Sequence, residues 1–218
     1  MTEQGSAQWL AERCGKVTAS RIADLMATTK SGPSASRANY LAQLVAERLT
    51  GTVQESYSNG AMQWGTETEP MARARYEVRY GVMVDQIGFV PHPTISMSGA
   101  SPDGLISDDG LIEIKCPNTA THIDTLLTGK VPSKYLLQMY WQMACTGRKW
   151  CDFVSFDPRM PDDLSMFVSR VERDDARIEE ITFAVSAFLA DVEMTIGKLN
   201  ALIDHINAAM RSALSRPA

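Results

Sequence analysis

The sequence predicts a mixed α/β fold, with a central mixed sheet flanked by helices. Three observations predict it. Helical periodicity dominates the first 80 residues, the apolar spacing switches to period two between Val82 and Cys116, and helices, two more strands and a long terminal helix follow. The order helices, strands, helices, strands, helix is that of a sheet covered on both faces. The chain has 218 residues, 44% apolar and 22% charged, which suits one globular domain. It is read as a single domain over 1–218, with a long helical segment from about 174.

The elements are read in order. Ser6 to Gly15 reads as a short helix with Trp9 and Leu10 inward. Thr18-Ala-Ser20 then opens a second helix to about Met26, Thr and Ser being good N-caps. Thr28 to Ser36 carries Gly, Pro and Ser and reads as loop. Arg37 to Leu49 has apolar residues at helical spacing before Gly51, and Thr52 to Gly60 reads as polar loop. Thr66 to Tyr80 is a helix ended by Gly81. Strands are expected over Val82–Val90, Ile95–Gly99, Ser101–Ile106 and Leu111–Cys116. Helices follow over His122–Leu127 and Ser133–Cys145, then strands over Trp150–Phe156 and Leu164–Val171. From Ile178 to Met210 apolar residues recur every three or four positions. One helix of that span would be about 50 Å long, so it either breaks near Gly197 or rests its far end on another chain.

Several classes are disfavoured. The polar start, Met1 to Leu10, does not resemble a secretory signal, and no apolar run reaches the roughly 18 residues of a membrane span. A cytoplasmic location and no membrane partner are therefore expected. Cys14, Cys116, Cys145 and Cys151 form no C-x-x-C pair and no clustered trio, which argues against a zinc ribbon or an iron–sulfur cluster and for reduced thiols. The net charge is −5, yet residues 151–218 carry 12 acidic and 7 basic side chains, so 1–150 is neutral overall. That distribution permits a DNA-binding face in the first two-thirds.

The chemistry concentrates in Ser101-Pro-Asp103-Gly-Leu-Ile-Ser-Asp-Asp-Gly110-Leu-Ile-Glu113-Ile-Lys115-Cys-Pro117. Strand side chains alternate faces, so Leu111, Glu113 and Lys115 share one face and Ile112 and Ile114 the other. Asp108-Asp109-Gly110 suits a three-residue hairpin loop with Gly110 left-handed. That register sets Ser107 opposite Leu111 and Asp103 opposite Lys115, with Glu113 diagonal to Asp103. Two hard carboxylates favour Mg²⁺, with Mn²⁺ a possible substitute, and a neighbouring lysine can orient water and stabilise phosphoryl charge. The alternative is a surface hairpin with an ordinary ion pair, worth less than about 1 kcal/mol.

Other motifs lie in order along the chain: Trp9 with Arg13-Cys-Gly15 and Thr18-Ala-Ser20, Met62-Gln-Trp64-Gly65 leading to Glu69, Tyr135-Leu-Leu-Gln138, and Phe156-Asp157-Pro158-Arg159-Met160. With the hairpin they cover roughly residues 9 to 175, and together they resemble the YqaJ-type (lambda-exonuclease-type) viral recombinase nuclease family of the restriction-endonuclease-like superfamily. The resemblance implies a restriction-endonuclease-like core and a Mg²⁺-dependent 5′–3′ exodeoxyribonuclease, with one or two ions per site. It implies that Asp103, Glu113 and the Ile114 carbonyl hold metal, Glu69 serves a second ion and Lys115 positions the attacking water. Arg13, with Ser20 and Ser101, would take the 5′-phosphate, Met62 would act as a wedge at the DNA end, and Gln138 would belong to the site. It also implies a homotrimeric ring on double-stranded DNA ends and a single-strand annealing recombinase as partner. An endonuclease of the same superfamily and a non-catalytic DNA-end-binding protein are the alternatives. The residues themselves leave bland readings open. Arg13 could be a surface charge, Ser20 a cap, Met62 core, Gln138 and Gln142 satisfied amides, and Glu67 rivals Glu69. Tyr135, Tyr140 and Trp141 read as core; His92, His122 and His205 have no assigned role.

Overall fold

The structure, a computed structural model, describes residues 2–30, 32–54 and 60–214. Helix α1 (Ala7–Arg13) is capped by Ser6, whose hydroxyl accepts from Trp9 N. Trp9 is half-buried, but Leu10 is 40% exposed and does not turn inward as expected. Thr18 caps no helix with its side chain: it lies in strand β1 (Val17–Thr18), its amide donates to the Tyr40 hydroxyl, and a 3₁₀ turn over Ala19–Arg21 precedes α2 (Ile22–Met26). The expected loop contains a small hairpin, β2 (Thr28–Thr29) with β3 (Gly32–Pro33), and α3 (Ala35–Thr50) starts behind the Ser34 cap. Gly51 ends it in the left-handed region. Helix α4 (Gly60–Tyr80) begins earlier than the expected Thr66, so Gly60 belongs to a helix; positions 55–59 of the expected polar loop lie outside the described residues.

Strands β4 (Val84–Asp85), β5 (Val90–Pro91), β6 (Ser98–Ala100), β7 (Gly104–Ile106) and β8 (Gly110–Lys115) follow. Then come α5 (Thr119–Thr128), α6 (Ser133–Thr146), β9 (Trp150–Phe156), β10 (Met166–Glu172) and α7 (Asp175–Leu214). The main sheet has the order β10-β9-β8-β7-β4 and is mixed: β8 and β9 run parallel, the other pairs antiparallel. A second sheet has the order β1-β6-β5. The strand expected over Val82–Val90 is therefore split between two sheets. The Gln4 amide takes the carbonyls of Ile87 and Pro102, at 2.9 and 2.8 Å, and Thr2 O lies so near Gly88 that a Cβ there would sit at 2.4 Å.

The alternation of β8 divides two cores. Leu111 joins Phe153, Trp141 and the buried side chains of α3, α6 and α7, while Ile112, Ile114 and Cys116 join Val154, Ala72 and Tyr76 of α4. Glu113 and Lys115 thus lie on the α6 side of the sheet. Helix α7 is unbroken through Gly197, which removes the first of the two arrangements the sequence left open, and its 40 residues span about 60 Å. Ile178, Ile181, Val185, Phe188 and Val192 are buried, whereas residues 200–212 are all exposed. Among the described residues no helix is long and apolar enough to cross a membrane.

Candidate active site

The β7–β8 hairpin pairs Ile106 with Gly110, Leu105 with Leu111 and Gly104 with Ile112. The loop keeps three residues but moves one position towards the N-terminus, so the pairing slips by two from the expected register, and the left-handed residue is Ser107, at φ 48°, instead of Gly110. Gly110 is needed for another reason: a Cβ there would lie 2.2 Å from Trp150 ring carbons. A slip of two keeps every side chain on its face. Asp103 moves from beside Lys115 towards the middle of β8, where its Oδ2 accepts from Ile114 N at 2.6 Å.

Glu113 is fully buried, and both its oxygens are engaged. Oε1 accepts from Lys115 Nζ and from Gln138 Nε2, the latter at 2.6 Å; Oε2 accepts from Gln142 Nε2 at 2.5 Å. Gln138 and Gln142 are one turn apart on α6, so both amides point at the same carboxylate. The Gln142 amide orientation has a second constraint, since Cys151 Sγ donates to its Oε1 at 4.0 Å. Lys115 also sits 5.3 Å over the Tyr135 ring, which stacks on Phe153.

The electrostatics are those of crowded carboxylates. Burial pushes the Asp103 carboxyl well above the usual range, Glu113 adds to this, and Lys115 offsets part of it. Burial alone would lower the Lys115 ammonium, but Glu113 and Asp103 raise it above its ordinary value, so it is charged. Glu69, on α4, is raised by burial against the pull of Arg73, with which it forms an ion pair, and of Lys115. Glu67 is exposed and accepts from Gln63 at 2.8 Å, which leaves Glu69 as the α4 acid that senses the centre. No three His, Cys, Asp or Glu side chains form a closed metal cage among the described residues. A Mg²⁺ ion does not require one, since it takes one or two carboxylates and keeps several waters. Asp103 and Glu113 are such hard donors, and their crowded negative charge is only partly balanced by Lys115.

A second cluster lies at the other end of the Ser101-Pro102-Asp103 segment. Arg13, Ser20 and Met62 line one cavity of about 350 Å³ together with Trp9, Lys16 and Tyr40. The Arg13 guanidinium stacks 3.9 Å over the Trp9 ring, and both donate to Ser101 Oγ, Trp9 Nε1 at 2.9 Å and Arg13 Nη1 at 3.4 Å. Burial lowers the Arg13 pKa to about 10, so it stays cationic at neutral pH. Ser20 is exposed, 3.4 Å from the Thr18 hydroxyl, and Met62 is 52% exposed, not core. Ser101 and Asp103 are two residues apart, within about 7 Å along the chain, so cavity and carboxylates adjoin.

Every site residue expected from the sequence thus falls in one of two adjoining clusters. Gln142 was named only as a possible satisfied amide, and Arg73 not at all. The four-residue spacing of Gln138 and Gln142 was the available signal for the first; nothing in the sequence marks the second. His122 is buried between the Ser155 hydroxyl and Leu164 O, each 2.8 Å away, in keeping with a structural role. The four cysteines are free, and burial pushes the Cys116, Cys145 and Cys151 thiols up, as for inert side chains.

Comparison with known proteins agrees with this architecture. The structure is similar to that of LHK-Exo in complex with dAMP, with a TM-score of 0.87 and 57% identity over 92% of this chain and 100% of that one. It is similar to the alkaline exonuclease LHK-Exo from Laribacter hongkongensis at a TM-score of 0.86 and 56% identity, with the same coverage. A phage related exonuclease from Haemophilus somnus 129PT shares the fold at a TM-score of 0.66, with 17% identity over 84% of this chain and 96% of its own. Comparison with curated protein sequences gave no match. The fold is the restriction-endonuclease-like one of these exonucleases. The model of the YqaJ-like viral recombinase domain matches residues 8–149, from the Arg13 cavity through the β8 carboxylate to the glutamines of α6, and the chain belongs to that family.

Proposed function

We propose that the protein is a single-domain, metal-dependent exonuclease that digests linear double-stranded DNA 5′ to 3′ and leaves a 3′ single-stranded tail for recombination by strand annealing. The observation that carries this reading is the junction of two sites. A carboxylate–lysine centre suited to phosphodiester hydrolysis adjoins, through Ser101-Pro102-Asp103, a small cationic cavity. The relatives support it: they are exonucleases by name, and one is seen with dAMP, a mononucleotide.

In this reading Arg13, fixed on Trp9, takes the terminal 5′-phosphate with Ser101 and Ser20, and Met62 parts the end base pair. Asp103, Glu113 and the Ile114 carbonyl would hold Mg²⁺ or Mn²⁺, and Glu69 would serve a second ion where one binds. The metal supplies Lewis-acid polarisation of the phosphate and an acidified water. Lys115, locked to Glu113, orients the attacking water and balances charge growing on the phosphoryl oxygens. Gln138 keeps Glu113 in place. The protein is assigned to the cytoplasm, to a trimeric ring that holds the DNA between cuts, and to an annealing recombinase that loads on the exposed tail.

The test uses linear duplex labelled separately at its 5′ and 3′ ends, with and without a 5′-phosphate, beside a closed circle, with Mg²⁺ present. Stepwise loss from phosphorylated 5′ ends, an intact circle and an inactive Lys115→Ala variant are expected. Cutting of the circle would favour an endonuclease, and no cleavage with any divalent metal a DNA-end-binding protein.

A further inference from the structure

We propose that Gln142 is a positioning residue for hydrolysis: its amide fixes the direction of the Glu113 oxygen that is left to face a metal ion. The inference rests on the nuclease reading above. A carboxylate offers about four lone-pair directions. On Oε1 two are taken, by Lys115 and Gln138. On Oε2 one is taken, and among the described residues its donor is Gln142. Oε2 is therefore the oxygen with a free direction, and a single bond aims it.

The two glutamines are consequently not equivalent. If Gln138 is lost, Lys115 still holds Oε1. If Gln142 is lost, nothing among the described residues holds Oε2. Burial sharpens the difference, since Gln142 is fully buried and Gln138 half-buried, so water cannot easily replace the Gln142 donor. The other end of the Gln142 amide is spoken for by the Cys151 thiol, so the side chain presents nitrogen to Glu113 and not oxygen. Partners that orient a metal-binding side chain alter metal affinity or activity by about 10–100-fold when removed.

The experiment compares wild type with Gln142→Met, which keeps shape without a donor, and with Gln138→Met. Mn²⁺ binding to the DNA-free protein is measured by titration calorimetry, and kcat and KM on 5′-phosphorylated duplex in parallel. Gln142→Met is expected to weaken Mn²⁺ binding by about 10–100-fold and to lower kcat with KM for DNA unchanged; Gln138→Met is expected to change both less. Should Gln142→Met fail to fold, Gln142→Asn, which retains an amide one methylene short, replaces it, with an intermediate loss expected. Wild-type-like Mn²⁺ binding and kcat in a folded Gln142 variant, or equal losses in both glutamine variants that merely track a lower melting temperature, would overturn the inference. A wild-type protein that neither binds Mn²⁺ nor cuts DNA would overturn the nuclease reading itself, a result distinct from either.

Discussion

The carboxylate centre and the Arg13 cavity are neighbours built on opposite principles. At the centre the carboxylates already have partners inside the protein: Glu113 accepts from Lys115, Gln138 and Gln142, and Asp103 Oδ2 from the Ile114 amide. In the cavity Trp9, Arg13, Ser20 and Met62 are half-exposed or exposed, and among the described residues Arg13 has a stacking partner and one long hydrogen bond. Pre-arranged dipoles need no reorganisation as charge develops, whereas a binding site must keep donors free for its ligand. On the proposed reading, the contrast separates a place where bonds would change from a place where an end would be held.

Substitutions should expose that division. The largest effect is expected for Lys115→Ala and Asp103→Asn, which should lower kcat by at least about 100–1,000-fold with DNA binding retained in a gel-shift assay. A comparable loss of binding would break the division. Arg13→Ala should instead raise KM for 5′-phosphorylated ends by about 10-fold, the scale of one charged hydrogen bond, and leave kcat and unphosphorylated ends nearly unchanged. Trp9→Phe keeps a ring under Arg13 but deletes the donor to Ser101, so steady-state kinetics should show a smaller rise in the same KM. Gly110→Ala tests the hairpin without touching a functional atom. Its methyl group collides with Trp150, and urea unfolding should show a loss of about 1–3 kcal/mol.

The smallest effect is expected at the Asp157–Arg159 ion pair, which follows β9. Burial would raise the Asp157 carboxyl, but hydrogen bonds from Arg159 and Thr119 outweigh it and hold the pKa at about 2. The unfolded value is about 3.9, so the folded state binds fewer protons between the two. Asp157 therefore contributes stability above about pH 4 that is lost as pH falls through about 2. Arg159→Ala should move the acid-unfolding midpoint, followed by circular dichroism, to higher pH.

What the sequence made legible was local. The alternation of Leu111, Ile112, Glu113, Ile114 and Lys115 placed acid and lysine on one face, since a strand repeats every two residues whatever its partners. The tertiary contacts were less readable. The hairpin register slipped because the left-handed residue is Ser107, while Gly110 answers to Trp150, forty positions away in sequence. The strand expected over Val82–Val90 is split between two sheets, and the Gln4 amide takes the Ile87 carbonyl within it, a contact periodicity cannot foresee. Gln142 looked like any amide on a helix, because its partner lies on β8 and the helix must dock before the two meet.

That docking bears on how the chain comes to be active. Strands β8 and β9 run parallel, so the stretch 116–149, which carries α5 and α6, must cross over the sheet before they can pair. Long-range closures of this kind form late in folding, after local hairpins. The β7–β8 hairpin can close early, but Glu113 gains its amides only when the crossover seats. If the proposed activity holds, a partly synthesised or partly refolded chain should not cut DNA, and pulsed hydrogen exchange during refolding should show the α6 amides protected no later than the first appearance of cleavage.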